Sequence, residues 1–134
     1  MKINKINQDK IILAIELVCP ILKEKLITEA FIVGSVAKGT AKPESDIDLI
    51  FYHPNPKKNG DEVHMMDINK YLHNNTKIIN KKEIKHGLLH DFNYHLYKDE
   101  LFHIMYYYGY DSNSIKTSEY LEITEEICNE VEES

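Results

Sequence analysis

Apolar side chains recur at helical spacing over residues 9–26. Ile12, Ile15, Val18, Cys19 and Leu22 form one stripe, with Lys10, Glu16 and Lys23 off it. The pattern predicts an amphipathic first helix, kinked at Pro20, whose ring cannot continue the backbone ladder. Residues 29–33 (EAFIV) read as a short buried strand that runs into Gly34-Ser35, a turn opening a short helix or loop through Gly39. Residues 47–52 (IDLIFY) read as a second strand, after a loop at Lys42-Pro43-Glu44. Residues 53–61, with two prolines and a glycine, form a connector. Helices are predicted at 62–73, 81–89, 99–108 and 118–132, the third opened near Asp99 and stopped by Gly109. Alternating polar and aromatic residues over 91–97 (DFNYHLY) predict a third strand.

The 134 residues are the size of one domain. No apolar run reaches the roughly 18 residues needed to cross a bilayer, and the N-terminus lacks the apolar core of a secretion signal. Cys19 and Cys128 stand far apart without CxxC spacing, so a cytoplasmic protein with two reduced, packed thiols is expected, with a disulfide between them as the alternative. Charge divides the chain. The first 110 residues carry 15 lysines against 14 acids, whereas 111–134 carries 8 acids and one lysine. All 16 basic residues are lysines. Arginine is the usual bidentate clamp for phosphates and guanine edges. Its absence, with the acidic end, describes a poor nucleic-acid binder.

The chemistry concentrates in FIVGSVAKGTAKPESDIDLIF. At the end of a strand, Gly34 lets the backbone approach a phosphate closely, and the Ser35 hydroxyl adds a donor. Asp46 and Asp48 open the next strand. Positions i and i+2 share a face, so the two carboxylates converge while Ile47 and Leu49 face the core. Convergent carboxylates repel and raise each other's pKa, and a hard divalent cation relieves that repulsion. A phosphate-cradling turn beside a carboxylate pair suits phosphoryl or nucleotidyl transfer.

Gly34-Ser35, ten intervening residues and Asp46-x-Asp48 resemble the GS-x10-D-x-D motif of the DNA polymerase β-like nucleotidyltransferases. The small size resembles the minimal nucleotidyltransferase branch, the antitoxin partners of HEPN toxins. The likeness covers roughly the first 52 residues well and the remainder in outline. The chain departs from the branch at Val36 and Lys38, where arginines are common. Lys38 or Lys42 could then serve a triphosphate as a point charge.

The resemblance implies an α+β fold: a nucleotidyltransferase-like small mixed β-sheet with the site at one edge and helices packed on one face. It implies Mg²⁺ held by Asp46 and Asp48, with ATP or another NTP held at Gly34 and Ser35. It also implies a third acid on a later strand, sharing the metals and accepting the acceptor hydroxyl's proton. The 91–97 strand offers Asp91, Asn93 and His95 on one face. Asn93 fits the family spacing at least as well as Asp91, and would leave the base missing. Asp91 is preferred because an intact metal pair without a base would be unusual.

About 37 residues follow that strand, too few for an acceptor domain. The expected acceptor is therefore a hydroxyl on a partner protein, as in antitoxins that adenylylate a HEPN toxin. Two rivals stand: a catalytically impaired module that neutralises a partner by contact, and a homodimeric small-molecule nucleotidyltransferase. Weaker features are His86 and His90, spaced for zinc without an evident third ligand, and Tyr106, Tyr107, Tyr108 and Tyr110, which either pack or form an interface. The acidic segment is either a partner-binding helix or a solvated helix capping the core.

Overall fold

A computed structural model describes residues 5–53, 61–108 and 112–133. Among these, α1 (Lys5–Lys23), β1 (Glu29–Val33), α2 (Gly34–Lys38) and β2 (Ile47–His53) come first, then α3 (Asp61–Asn75). The strands β3 (Lys77–Lys85), β4 (Leu88–Tyr97) and β5 (Glu100–Tyr108) follow. A 3₁₀ turn at Ile115–Thr117, β6 (Leu121–Ile123) and α4 (Glu125–Glu133) complete the chain. One six-stranded sheet has the order β3-β4-β5-β2-β1-β6. Only β2 and β5 pair in parallel, so the sheet is mixed. The fold is α+β, as expected.

The main core lies on one face of the sheet. Leu17, Val18, Ile21 and Leu22 of α1 and Ile68 and Leu72 of α3 pack against Ala30, Ile32, Ile47, Leu49, Phe51 and Phe102. On the opposite face a smaller cluster joins Phe31 and Tyr52 to Ile115, with Val33 and Ile50 beside it. This alternation follows from the two-residue strand period. Each of β1 and β2 sends odd and even positions to different faces, and both faces find cover.

Four expectations change. Residues 81–89 are not a helix: they run through β3 into β4 about a two-residue turn, His86-Gly87, in which both residues have positive φ (51° and 76°). This is the twist a hairpin favours. Residues 99–108 are likewise strand β5. Lys98 and Asp99, at φ 48° and 66°, turn the chain between Tyr97 and Glu100, so Asp99 caps no helix. The 118–132 helix divides into β6 and a shorter α4, whose Thr124 hydroxyl accepts the Ile127 N–H at 3.2 Å. Finally, Cys19 and Cys128 are bonded, not free thiols. The packing of α1 against α4 brings their Cα atoms to 5.7 Å, and both side chains are buried. A cross-link spanning 109 residues restricts the unfolded chain by about 4–5 kcal/mol on chain-entropy grounds.

The acidic segment is thus part of the fold. Ser112, Ile115, Ile123 and Cys128 are buried in it, and β6 pairs with β1. The tyrosines do not form one patch either. Tyr106 packs edge-on against Phe51 on the helical face, while Tyr107 leans on Tyr52 on the opposite face. The Tyr108 side chain and Tyr110 lie outside the described residues. His86 sits in a hairpin turn, so the helical i, i+4 spacing imagined for His86 and His90 does not exist; the His90 side chain also lies outside the described residues. No described helix is long and apolar enough to cross a membrane.

Candidate active site

The end of β1 and the start of β2 meet in the middle of the sheet, flanked by β5 and β6, and not at its edge as expected. Val33 stands opposite Asp48. The next residue, Gly34, has φ +71° and turns the chain into α2. A Cβ there would overlap the Asp48 carboxylate at Oδ2. Glycine is required twice at this point, by the backbone and by the neighbouring acid. The α2 helix closes on Gly39, whose left-handed conformation lets its N–H reach the Val36 carbonyl at 3.2 Å.

The loop between α2 and Asp46 is clamped from α1. The Asn7 amide donates to the Val36 carbonyl at 2.5 Å and its Oδ1 accepts the Ala41 N–H at 2.9 Å. Lys10, only 2% exposed, donates to the carbonyls of Pro43 (3.3 Å) and Ser45 (2.9 Å) and to Glu100 Oε2 (2.6 Å). One buried ammonium therefore ties the first helix, the loop that delivers Asp46 and the start of β5 together. Lys38 and Lys42 are exposed; the Lys42 N–H closes the loop by donating to Ser45 Oγ at 2.9 Å.

Asp48 lies half-buried on the sheet face away from α1 and α3, because Ile47 and Leu49 fill the core. Burial raises its carboxyl above the ordinary 3.8, and Asp46 pushes the same way while His103 opposes. A carboxyl raised in the folded state stabilises the fold fully below 3.8, and that contribution is lost as pH rises through the raised value. Asp48→Asn cannot ionise. In EDTA its melting temperature should exceed that of the wild type at pH 7, with the gap closing toward pH 3. Thermal melts across that range check this, and a gap independent of pH would contradict it.

The strand beside β2 is β5, and the residue in register with Asp48 is His103. His103 Nδ1 lies 3.7 Å from Asp48 Oδ1, and the Tyr94 ring lies 5.2 Å away at a 30° tilt. Val33, Asp48, His103 and Tyr94 thus form one row across the sheet. Asn93 and His95 belong to the other alternation of β4. His95 pairs with the fully buried Phe102, and its Nδ1 meets Thr76 Oγ1 at 3.2 Å. Asn93 accepts from Asn80 at 3.3 Å. Both line a cleft with Lys70 and His73 of α3 and are not brought to Asp48. Asp91 pairs with Lys82 toward the outer edge of the sheet, in the same alternation as Asn93; its side chain lies outside the described residues.

Beside Gly34, a cleft of about 470 Å³ opens over the same sheet face, lined by Val33, Ile50, Tyr107, Ser114 and Ser118. Among the described residues no group of three His, Cys, Asp or Glu side chains is gathered to hold a metal by itself. A Mg²⁺ ion does not require one. It binds through one or two carboxylates, keeps waters and takes the rest from substrate phosphates, so the Asp46–Asp48 pair fits it.

Asn7, Lys10 and His103 carry no signal in the sequence pattern. Lys10 reads as a solvated polar position, and His103 is hidden within a run that also suits a helix.

A crystal structure from Sulfolobus solfataricus, of a protein provisionally assigned as a nucleotidyltransferase, is similar at 16% identity; the match covers 91% of this chain and 89% of that one, with a TM-score of 0.45. No curated protein matches the chain. The family model for the nucleotidyltransferase domain matches residues 15–132, which include the glycine turn, both aspartates and all six strands. The chain belongs to the nucleotidyltransferase-domain family.

Proposed function

We propose that this protein transfers a nucleoside monophosphate, AMP in the first instance, from an NTP to a hydroxyl on a partner protein, with pyrophosphate leaving. The observation that carries the reading is the close approach of Asp48 to Gly34, which places a carboxylate at the mouth of a glycine turn. Gly34 and Ser35 would hold the outer phosphates, with Lys38 and Lys42 as exposed point charges nearby. Asp46 and Asp48 would hold Mg²⁺, which would neutralise charge on the phosphates. The neighbouring cleft would take the nucleoside. The chain's own contribution is positioning: the Asn7 and Lys10 clamps fix the loop, and the row Val33, Asp48, His103 and Tyr94 across the sheet fixes one carboxylate.

The protein acceptor follows from the sequence resemblance. Residues 112–133 complete the sheet and the helical layer, and Ser114 and Ser118 form part of the cleft wall. An antitoxin-like role toward a toxin partner is the form of this reading that the sequence resemblance favours. Incubating the protein and its co-purifying chains with Mg²⁺ and each NTP, then scanning their masses, tests it. A gain of one nucleotide on a partner supports it, and unchanged masses with every NTP oppose it.

Asp91 is the third acid that the sequence offers. Asp91→Ala tests that role. Loss of transfer by about 10²–10⁴-fold would identify a base. Transfer that survives the substitution removes Asp91 from the reacting group.

A further inference from the structure

We propose that the groove between α3 and the β3–β4 hairpin is a docking site for an acidic amphipathic helix of a partner protein. The inference goes beyond the transfer reading and does not rest on it, because α3 lines the groove whereas Asp48 lies on the opposite face of the sheet. Ile78 and Ile84 of β3 share one alternation, and Leu89 of β4 stands in register with Ile84. This is the alternation of His95, which pairs with the buried Phe102, so these side chains belong to the helical face. There they lack cover. Ile84 is 75% exposed, and Leu89 and Ile78 are exposed with it. Met66 of α3, which lines the groove together with Ile78, is 70% exposed. Apolar residues exposed singly are ordinary, but four gathered on one face mark an interaction surface. The groove between them measures about 800 Å³. A sheet face is stable under a packed layer, and here that layer stops at α3.

The chemistry of the walls selects the occupant. Asn69, Lys70 and His73 of α3 and Asn93 and His95 of β4 line the groove, and among the described residues no carboxylate does. The β3 strand along its outer side carries four lysines and one glutamate. The partner that fits therefore presents apolar residues flanked by acids. A second copy would bring this lysine-rich strand against its own image, which like charges oppose. An added β-strand is disfavoured as well. Lysines along an edge strand oppose pairing, and the exposed apolar groups stand on the sheet face, not in the plane of its edge. A helix laid along the strands beside α3 meets them. Ile78 to Ile84 spans about 20 Å of strand, which about 13 residues of helix match.

The test uses the full chain and two fluorescein-labelled synthetic helices of about 14 residues, each with one leucine stripe and with either glutamate or lysine elsewhere. Fluorescence anisotropy should show saturable binding of the glutamate peptide that weakens as salt is raised, and binding of the lysine peptide at least about 10-fold weaker. Ile84→Glu and Met66→Glu should each weaken the glutamate peptide by about 10–100-fold, the loss expected for one large apolar contact. Lys70→Glu should weaken the glutamate peptide and strengthen the lysine peptide. All three positions are exposed, so the variants should fold, and circular dichroism checks that they do. The Met66 methyl resonance should shift on binding. The Asp46→Asn, Asp48→Asn double variant should bind the peptide as the wild type does, which separates this site from the transfer site. Absence of saturable binding, equal binding of the two peptides, or indifference to Ile84→Glu would overturn the proposal. Self-association of the wild type that Ile84→Glu abolishes would overturn it too, by making a second copy the occupant.

Discussion

Gly34→Ala should be among the most damaging single-atom additions to this protein. The residue holds φ +71°, where an L side chain costs about 1–3 kcal/mol, and the new methyl would also collide with the Asp48 carboxylate. Neither conflict is relieved by a rotamer change at position 34, because alanine has none. Either the turn opens or Asp48 swings away, and both outcomes damage the same few atoms. The expected result is a stability loss of about 1–3 kcal/mol in denaturant unfolding, accompanied by weaker triphosphate binding. Gly39→Ala is the informative comparison. Gly39 has a similar φ of +79° but no neighbour within reach of a Cβ, so it should lose stability without losing binding. Equal binding defects in the two variants would show that the approach to Asp48 is not what matters.

Lys10→Met should cost about 2–4 kcal/mol, a large effect for a lysine. Its ammonium is buried and makes three hydrogen bonds, to Pro43, Ser45 and Glu100. Methionine fills much of the volume but leaves two carbonyls and a carboxylate without their donor. Glu100 is 29% exposed, so water relieves part of that loss and holds the cost below that of a fully buried broken pair. The loop from Ala41 to Ser45 would then keep its tie to α1 through Asn7 but lose the one through Lys10, and Asp46 would be less well placed. Chemical denaturation measures the first effect and the KM for NTP the second. The exposed Lys5→Met should change neither, and a comparable loss there would contradict the buried-clamp account.

The sequence revealed the first half of the fold because its signals there are mutually consistent. EAFIV and IDLIFY are short, β-rich and bounded by Gly34 and the Pro43 loop, and each became the strand it resembled. The glycine turn and the two aspartates were legible as a unit, since their order and spacing are tied to those strands. The second half was less legible for a definite reason. ELFHIMYYY in β5 carries apolar or aromatic residues at both alternations, so neither a period of two nor of 3.6 stands out. The turn before it, Lys98-Asp99, adopts left-handed backbone without the glycine that usually announces it.

The helix-like pattern of β5 also hides part of the site: the sequence offers its third group on β4, whereas the neighbour of Asp48 is His103 on β5. Lys10 was invisible for another reason. Its place off the apolar stripe of α1 is real, but the loop at Pro43 and Ser45 covers it, and nothing local to the helix encodes that contact. The disulfide was hidden similarly. Only the packing of α1 against α4 brings Cys19 and Cys128 together.

The central claim is that a triphosphate and a divalent cation bind together at Asp46 and Asp48. Calorimetric titration of ATP in the presence of Mg²⁺, on wild type and on the Asp46→Asn, Asp48→Asn double variant, addresses it most directly. The account predicts measurable binding by the wild type and a loss of about 10²-fold or more in the double variant, with the fold retained by circular dichroism. Equal affinity in the two proteins would contradict it.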